Sequence, residues 1–117
     1  TFVPHYIPMT RGILSTCYGR LRDGVRIDRD GLKQAYRDFY RDAPFVHVSD
    51  APPSTKHVAG TNYCVVHPSI DRRTGTVVIS SAIDNLGKGA AGAAVQCLNI
   101  MLGLPETAGL QSLALFP

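Results

Sequence analysis

The stretch YCVVHPSIDRRTGTVVISSAI, residues 63–83, contains two runs rich in valine and isoleucine on either side of the polar segment DRRT. Valine and isoleucine favour strands, and a short polar segment followed by glycine favours a reversal of the chain. The pattern predicts a β-hairpin in which residues 63–70 pair with residues 75–83. The rest of the domain is expected to be built around this hairpin.

The segments before the hairpin predict a loop, a short strand and a helix. Residues 50–62 are rich in Pro, Ser, Thr and Gly, which is typical of a loop, and FVHVS at 45–49 reads as a strand. Residues 28–42 place apolar side chains at the spacing of one helix face. These side chains are Leu32, Ala35, Tyr36, Phe39 and Tyr40. Asp28 or Asp30 can cap the start of the helix.

The two ends of the chain complete the predicted fold. Residues 2–8 read as an extended edge strand limited by two prolines, and residues 13–21 read as a second strand. Residues 89–102 form an alanine-rich pattern that predicts a helix, which Gly103 can end. The order β-β-α-β-β-β-α predicts an α+β fold, with a mixed, largely antiparallel sheet and helices on one face.

Composition indicates one globular domain. The 117 residues are 44% hydrophobic and 18% charged, with a net charge of +3 that does not argue for nucleic acid. No apolar run reaches the length of a membrane span, and no secretory signal is visible. Cys17, Cys64 and Cys97 are expected to be small buried thiols rather than a disulfide framework. The start at Thr1, without an initiator methionine, suggests the interior of a longer protein. Arginines between residues 20 and 41 alternate with aspartates, as on a solvated, salt-bridged face.

Residues 87–92, GKGAAG, match the G-x-G-x-x-G pattern of a dinucleotide-binding turn. Such a turn joins a strand directly to a helix within a β-α-β unit and requires an acidic residue at the end of a second strand. Here the preceding strand ends near Ile83, and Glu106 has suitable spacing but follows a proline instead of a strand. The context therefore argues against an independent nucleotide site. Close helix packing, or a helix start beside a ligand held mainly elsewhere, remain as explanations.

Two longer stretches resemble a known family. FVPHYIPMTRGILST at residues 2–16 and SSAIDNLGKGAAGAAVQCLNIMLGLPETAGL at residues 80–110 look like the C-terminal part of the N-acetyl-γ-glutamyl-phosphate reductases. DNLGKGAAGAAVQ alone would equally fit the related aspartate-semialdehyde dehydrogenases. PHYIPMTRGI and GLPETAGL favour the arginine-pathway enzymes. The resemblance implies that residues 1–117 are the substrate and dimerisation region of a two-domain dehydrogenase. It also implies that residues 85–103 form a helix packing toward the cofactor domain.

The resemblance also implies a chemistry that this chain does not complete. In the family, a cysteine thiolate attacks the acyl phosphate, and hydride from NADPH reduces the resulting thioester to the aldehyde. The family's cysteine turn, its acid/base histidine motif and its glycine-rich cofactor turn are absent from this sequence. The chain alone is therefore expected to be inactive, with no catalytic residue of its own. NADP would be shared with a domain that this chain does not contain.

Four residues are predicted to contact the cofactor by resemblance. Asn85 would offer its side-chain amide to the nicotinamide carboxamide, and Lys88, Gly89 and Ala90 would line the same wall. The alternative for Asn85 is a residue that forms the turn and caps the helix.

Substrate contacts are predicted for Arg11, His5 and Lys56. Arg11 could hold an anionic group as a bidentate fork or form a surface ion pair. His5 could face the active site or be structural, and Lys56 could reach a phosphate or lie in a solvated loop. No metal site is predicted, because the pair Cys64 and His67 has no second pair at metal-binding spacing.

The remaining expectations concern partners and alternatives. An uncovered apolar sheet face predicts a homo-oligomer, dimer or tetramer, built on a two-fold contact. The ligand is expected to be a small acyl phosphate, with no nucleic acid or membrane partner, in the cytoplasm. Aspartate-semialdehyde dehydrogenase, a lysine-pathway acyl-phosphate reductase and a non-catalytic assembly module remain as alternatives.

Overall fold

The structure, a computed structural model, describes residues 1–115 and contains a four-stranded sheet and two α-helices in this part of the chain. The elements are β1 (Ile13–Gly19), α1 (Arg29–Phe39), β2 (Val46–Val48), β3 (Cys64–Ile70), β4 (Val77–Ile83) and α2 (Gly92–Met101). A 3-10 turn covers Thr55–His57, and a π-helical turn covers Gly87–Ala91 immediately before α2.

The predicted hairpin is confirmed as β3 and β4. The two strands pair antiparallel from Cys64 opposite Ile83 to Ile70 opposite Val77. The Asp71 carboxylate organises the turn, since it accepts hydrogen bonds from the Arg73 amide at 2.9 Å and from the Thr74 hydroxyl at 2.7 Å. The polar segment between the two strands therefore supplies its own turn-forming contacts.

The sheet order is β1-β4-β3-β2. β1 pairs antiparallel with β4, and β2 pairs parallel with β3, so the sheet is mixed and mainly antiparallel. The predicted fold class is confirmed. The parallel pair follows from the long connection between β2 and β3, which returns the chain to the same end of the sheet.

α1 covers part of this sheet. The Asp28 carboxylate caps the helix by accepting from the Gly31 amide at 2.7 Å, as one of the two predicted caps. The helix packs chiefly on β3, and Leu32 is the buried residue of the predicted apolar stripe. The other four residues of the stripe line an open cleft of about 320 Å³. α2 continues directly from the π-helical turn before it.

The predicted strand at residues 2–8 is wrong. This segment has no strand pairing, and Phe2 and Tyr6 are almost fully exposed. Pro4 and Pro8 lack the amide hydrogens that a ladder needs, and β1 consequently forms the edge of the sheet.

Large apolar surfaces lie outside the small core. Phe45, Val58 and Ala82 are at most 1% exposed, but every residue of β1 is exposed. α2 likewise exposes large apolar side chains. They are Val95, Leu98, Ile100 and Met101. The prediction that the sheet carries more apolar positions than the two helices can cover agrees with the exposure of β1, whereas the exposed apolar side chains of α2 were not predicted.

Candidate functional site

Asp84 organises the connection from β4 into the glycine-rich segment. Its side chain is fully buried directly after the strand ends. Oδ1 accepts from the backbone amides of Leu86 at 2.8 Å and Gly87 at 2.6 Å, and Oδ2 accepts from the Gly60 amide at 2.6 Å. One carboxylate therefore ties the end of β4, the start of the π-helical turn and the preceding loop together.

Arg11 completes this arrangement. Its Nε donates to Oδ2 of Asp84 at 2.9 Å and its Nη2 donates to Oδ1 at 3.2 Å. The fork expected of Arg11 thus engages a carboxylate of its own chain. Burial alone would raise the pKa of Asp84, but the hydrogen bonds from Gly60, Gly87, Arg11 and Leu86 outweigh burial and lower this pKa to about 2.

Close packing explains two of the three glycines in the G-x-G-x-x-G pattern. A Cβ atom at Gly87 would collide with the backbone carbonyl of Thr61. A Cβ atom at Gly92 would collide with Oδ1 of Asn62 and would lie 2.8 Å from the Gly87 carbonyl. The turn and α2 can approach the buried loop at residues 61–62 only because these side chains are missing. The π-helical form of this segment was not predicted. Such turns are frequent at functional sites.

Asn85 bridges the turn to the N-terminal segment. Its Oδ1 accepts from the Gly12 amide at 2.7 Å, and its side chain caps neither the π-helical turn nor α2. Asp84, rather than Asn85, receives the first amides of the turn. The bond to Gly12 fixes the orientation of the Asn85 amide and leaves its Nδ2 donor without a hydrogen-bond partner among residues 1–115.

Lys88 is half-buried against α2 and against Phe45, the residue before β2. Its Nζ donates to Oε1 of Gln96 at 2.6 Å and lies 5.7 Å from the centroid of the Phe45 ring. Such an ammonium–ring contact is favourable. Burial raises the pKa of the nearby Cys64 thiol, and the charge of Lys88 opposes this rise.

Gly89 and Ala90 are exposed on the same turn. The Gly89 amide donates to the backbone carbonyl of Asp84 at 2.8 Å, which holds the turn against the end of β4. The four residues predicted to contact the cofactor therefore lie within one short, well-anchored segment.

Of the three predicted substrate residues, Arg11 and Lys56 lie on neighbouring segments, and His5 lies apart in the exposed N-terminal segment. Thr55, in the same 3-10 turn as Lys56, contacts the segment before β1, since its Oγ1 lies 3.5 Å from the Met9 sulfur. The structure thus brings the turn that carries Lys56 beside the segment that carries Arg11. His5 is exposed, and its Nδ1 lies 3.1 Å from the carbonyl oxygen of Val3.

Sequence reasoning missed the residues that hold the site. Asp84 was not among the predicted site residues, although an aspartate directly after an apolar strand and before a glycine-rich turn is a recognisable turn-forming signal. Gln96 was also missed, and Glu106 was considered only as the acidic residue of a dinucleotide turn, because their contact joins α2 to the irregular segment after it.

The cysteines differ from their predicted environment. Cys17 and Cys97 are exposed and Cys64 is half-buried, so the prediction of three buried thiols is wrong. Cys17 lies on the exposed edge strand, and Cys97 lies on an exposed position of α2. In residues 1–115, no three metal-ligating side chains come together, and no helix there has the length and apolarity to cross a membrane.

Comparison with known proteins finds relatives that share one name, N-acetyl-gamma-glutamyl-phosphate reductase. The chain is 51% identical over 117 residues to the N-acetyl-gamma-glutamyl-phosphate reductase of Dehalococcoides mccartyi and 54% identical over 119 residues to that of Geobacter metallireducens. Each alignment covers 100% of this chain but only 34% of the relative. The chain thus spans about a third of the length of these relatives.

A protein-family model matches the N-terminal part of the chain, which contains the whole described sheet. The model is described as semialdehyde dehydrogenase, dimerisation domain, and it matches residues 1–85, from the extended N-terminal segment through β4 to Asn85. This range includes all four strands and α1. The chain therefore belongs to the semialdehyde dehydrogenase dimerisation-domain family.

Proposed function

We propose that the complete protein is an NADPH-dependent reductase that converts N-acetyl-γ-glutamyl phosphate to N-acetylglutamate semialdehyde in arginine synthesis in the cytoplasm. In this proposal, the chain supplies one wall of the cofactor site and the subunit contact. The cysteine nucleophile, the acid/base histidine and the phosphate-binding half of the cofactor site belong to the part of the protein outside these residues. Support comes from the shared name of relatives about half identical over the whole chain.

The observation that carries the cofactor role is the fixed amide of Asn85. Its oxygen is held by the Gly12 amide, so its Nδ2 donor has a set direction. A nicotinamide carboxamide needs a donor of this kind to fix the ring, and the bound cofactor would supply the hydride. Gly89 and Ala90 are exposed beside it and offer a surface with little side-chain bulk. The residues present therefore fit a nicotinamide, and their task is orientation.

We further propose that residues 85–103 pack toward the cofactor domain. The exposed apolar side chains of α2 and of the residues after it, such as Leu98, Met101 and Leu104, have no cover in the described part of the chain. Burying them against a second domain would remove this apolar surface from water.

The cofactor role is tested by Asn85→Asp in the full-length protein. The substitution keeps an oxygen acceptor for the Gly12 amide but places an acceptor where the proposal requires a donor. We expect the hydride step to slow ~10-fold to 100-fold while NADPH affinity changes less, because orientation rather than attachment is lost. Single-turnover kinetics with N-acetyl-γ-glutamyl phosphate and NADPH, alongside cofactor titration, measure the two effects.

Two comparisons control this test. Asn85→Ala removes both the structural bond and the donor, and should slow the step at least as much. The 117-residue chain alone should give no turnover. A wild-type rate for Asn85→Asp would refute the cofactor role, and turnover with β-aspartyl phosphate in preference to the N-acetylglutamyl substrate would overturn the proposed substrate.

The subunit contact is tested by sedimentation of the full-length protein. Family membership implies homo-oligomerisation, and we propose a two-fold contact that includes the exposed strand β1. Leu14 and Tyr18 are 55% and 74% exposed there, so Leu14→Arg should shift the protein toward smaller species at micromolar concentration. Arg72→Ala, in the exposed hairpin turn, is the matched control and should leave the oligomer intact. A monomeric wild type would contradict the proposal and indicate that the remainder of the protein covers β1.

A further inference from the structure

A chain of side-chain hydrogen bonds connects the segment after α2 to the π-helical turn. Nε2 of Gln96 donates to Oε1 of Glu106 at 2.5 Å. Oε1 of Gln96 accepts from Nζ of Lys88 at 2.6 Å and from Nδ2 of Asn62 at 2.9 Å. Glu106 therefore reaches Lys88 through a single amide group.

Glu106 determines which way the Gln96 amide faces. A carboxylate only accepts hydrogen bonds, so the NH₂ group of Gln96 must point to Glu106 and its oxygen must point away. The oxygen then meets Lys88 and Asn62, which both donate. With the amide reversed, Gln96 would place its NH₂ group against these two donors and its oxygen against the carboxylate.

The position of Lys88 depends on this amide. A lysine side chain has four flexible carbons and loses rotamer entropy when it is fixed. Among residues 1–115, Lys88 forms no ion pair with a carboxylate, and Gln96 is its hydrogen-bond acceptor. The hydrogen bonds from Gln96 to Glu106 and from Lys88 to Gln96 each involve a charged group. Each is therefore stronger than a hydrogen bond between neutral groups, and the two charges polarise the Gln96 amide between them.

We propose that Glu106 is a positioning residue that acts through Gln96 to hold the Lys88 ammonium over the Phe45 ring. The amide relay fixes Lys88 without a carboxylate beside it, so the ammonium keeps two N–H donors for a bound molecule. The consequence for the reaction rests on the proposed function, in which Lys88 lines the cofactor wall.

The test compares Glu106→Ala with Glu106→Gln in the full-length protein. The glutamine variant still offers an oxygen to Nε2 of Gln96, whereas the alanine variant offers none. Brief acetylation with acetic anhydride, followed by peptide mass spectrometry, measures how accessible Lys88 is. We expect Lys88 to react about five- to tenfold faster in Glu106→Ala and within about twofold of wild type in Glu106→Gln, since the glutamine variant keeps a neutral hydrogen bond to Gln96 whereas the alanine variant keeps none. Lys33, which is paired with Asp50, is the internal reference and should not change.

Kinetics separate positioning from a general structural effect. Glu106→Ala should lower kcat about tenfold while the KM for NADPH and the melting temperature change little, and Glu106→Gln should restore most of kcat. If Glu106→Ala does not fold, Gln96→Met carries the test, because methionine has similar volume and removes the hydrogen bonds to Glu106, Lys88 and Asn62. An unchanged rate of Lys88 acetylation in these variants would overturn the inference. Faster acetylation with unchanged kcat would support positioning by Glu106 and overturn the cofactor role proposed for Lys88.

Discussion

Replacing Asp84 with alanine is expected to destabilise the full-length protein by ~3–5 kcal/mol, the cost typical of breaking a buried charged network. The substitution would leave the amides of Gly60, Leu86 and Gly87 without their acceptor and Arg11 without its partner. Urea denaturation at a fixed protein concentration measures the effect, since oligomer stability depends on concentration. Asp50→Ala is the matched control. Asp50 also accepts hydrogen bonds from two basic side chains, but it is exposed, so its loss should change stability little.

The same carboxylate makes stability depend on acid pH. The pKa of Asp84 is about 2 in the folded chain, below its ordinary value, so the unfolded chain takes up the proton first as the pH falls. The stabilising contribution of about 2 kcal/mol is therefore complete above pH ~5 and is lost as the pH falls from ~4 through ~2. Asp84→Asn should remove this part of the pH dependence. A variant whose acid denaturation curve matches that of wild type in slope and midpoint would contradict the assignment.

Replacing Gly87 with alanine is expected to destabilise the protein by ~2–3 kcal/mol, because the added methyl group overpacks a tight contact. Helix propensity predicts the opposite sign, since alanine in a helix is favoured over glycine by about 1 kcal/mol. The added Cβ would collide with the Thr61 carbonyl, which is backbone in a buried loop and cannot rotate away. The sign of the change therefore distinguishes packing from propensity.

Gly19→Ala is the matched control for this substitution. Within residues 1–115, a Cβ atom at Gly19 would have nothing within 4 Å, and the residue is not in the left-handed region. Because Gly19 ends the strand proposed for the subunit contact, sedimentation must first show that this variant keeps the wild-type oligomer. Thermal denaturation of both full-length variants should show a lower melting temperature for Gly87→Ala alone. A melting temperature for Gly87→Ala equal to or above that of wild type would show that the glycine is not required by the loop.

The features predicted correctly from sequence are those set by neighbouring residues. The hairpin follows from two β-rich runs around a turn, and the Asp28 cap lies three residues before the amide that it accepts from. The predicted strand at residues 2–8 failed because a strand requires a partner, and its prolines remove the amides that a partner would use. Pairing of this kind depends on the whole sheet and is invisible in a short window.

In the candidate site, too, local features could be predicted from sequence and contacts between distant segments could not. The glycine pattern correctly drew attention to residues 87–92, but its cause lies in the loop near Thr61 and Asn62, more than twenty positions earlier in the chain. Asp84 gathers donors from three separate segments, and only one of them is adjacent to it in sequence. Sequence periodicity reports which face of an element is apolar, whereas these contacts arise when distant segments meet.

The sheet order has a consequence for how the chain folds during synthesis. β1 is an edge strand whose only partner, among the described residues, is β4. The whole of α1, β2 and β3 must be translated between them, which takes roughly 3–13 s at ribosomal rates of about 5–20 residues per second. The hairpin of β3 and β4 contains only local contacts and can form within microseconds of its emergence. β1 carries no charged residue and stays unpaired until then, so this interval is when the nascent chain is most exposed to strand-to-strand aggregation.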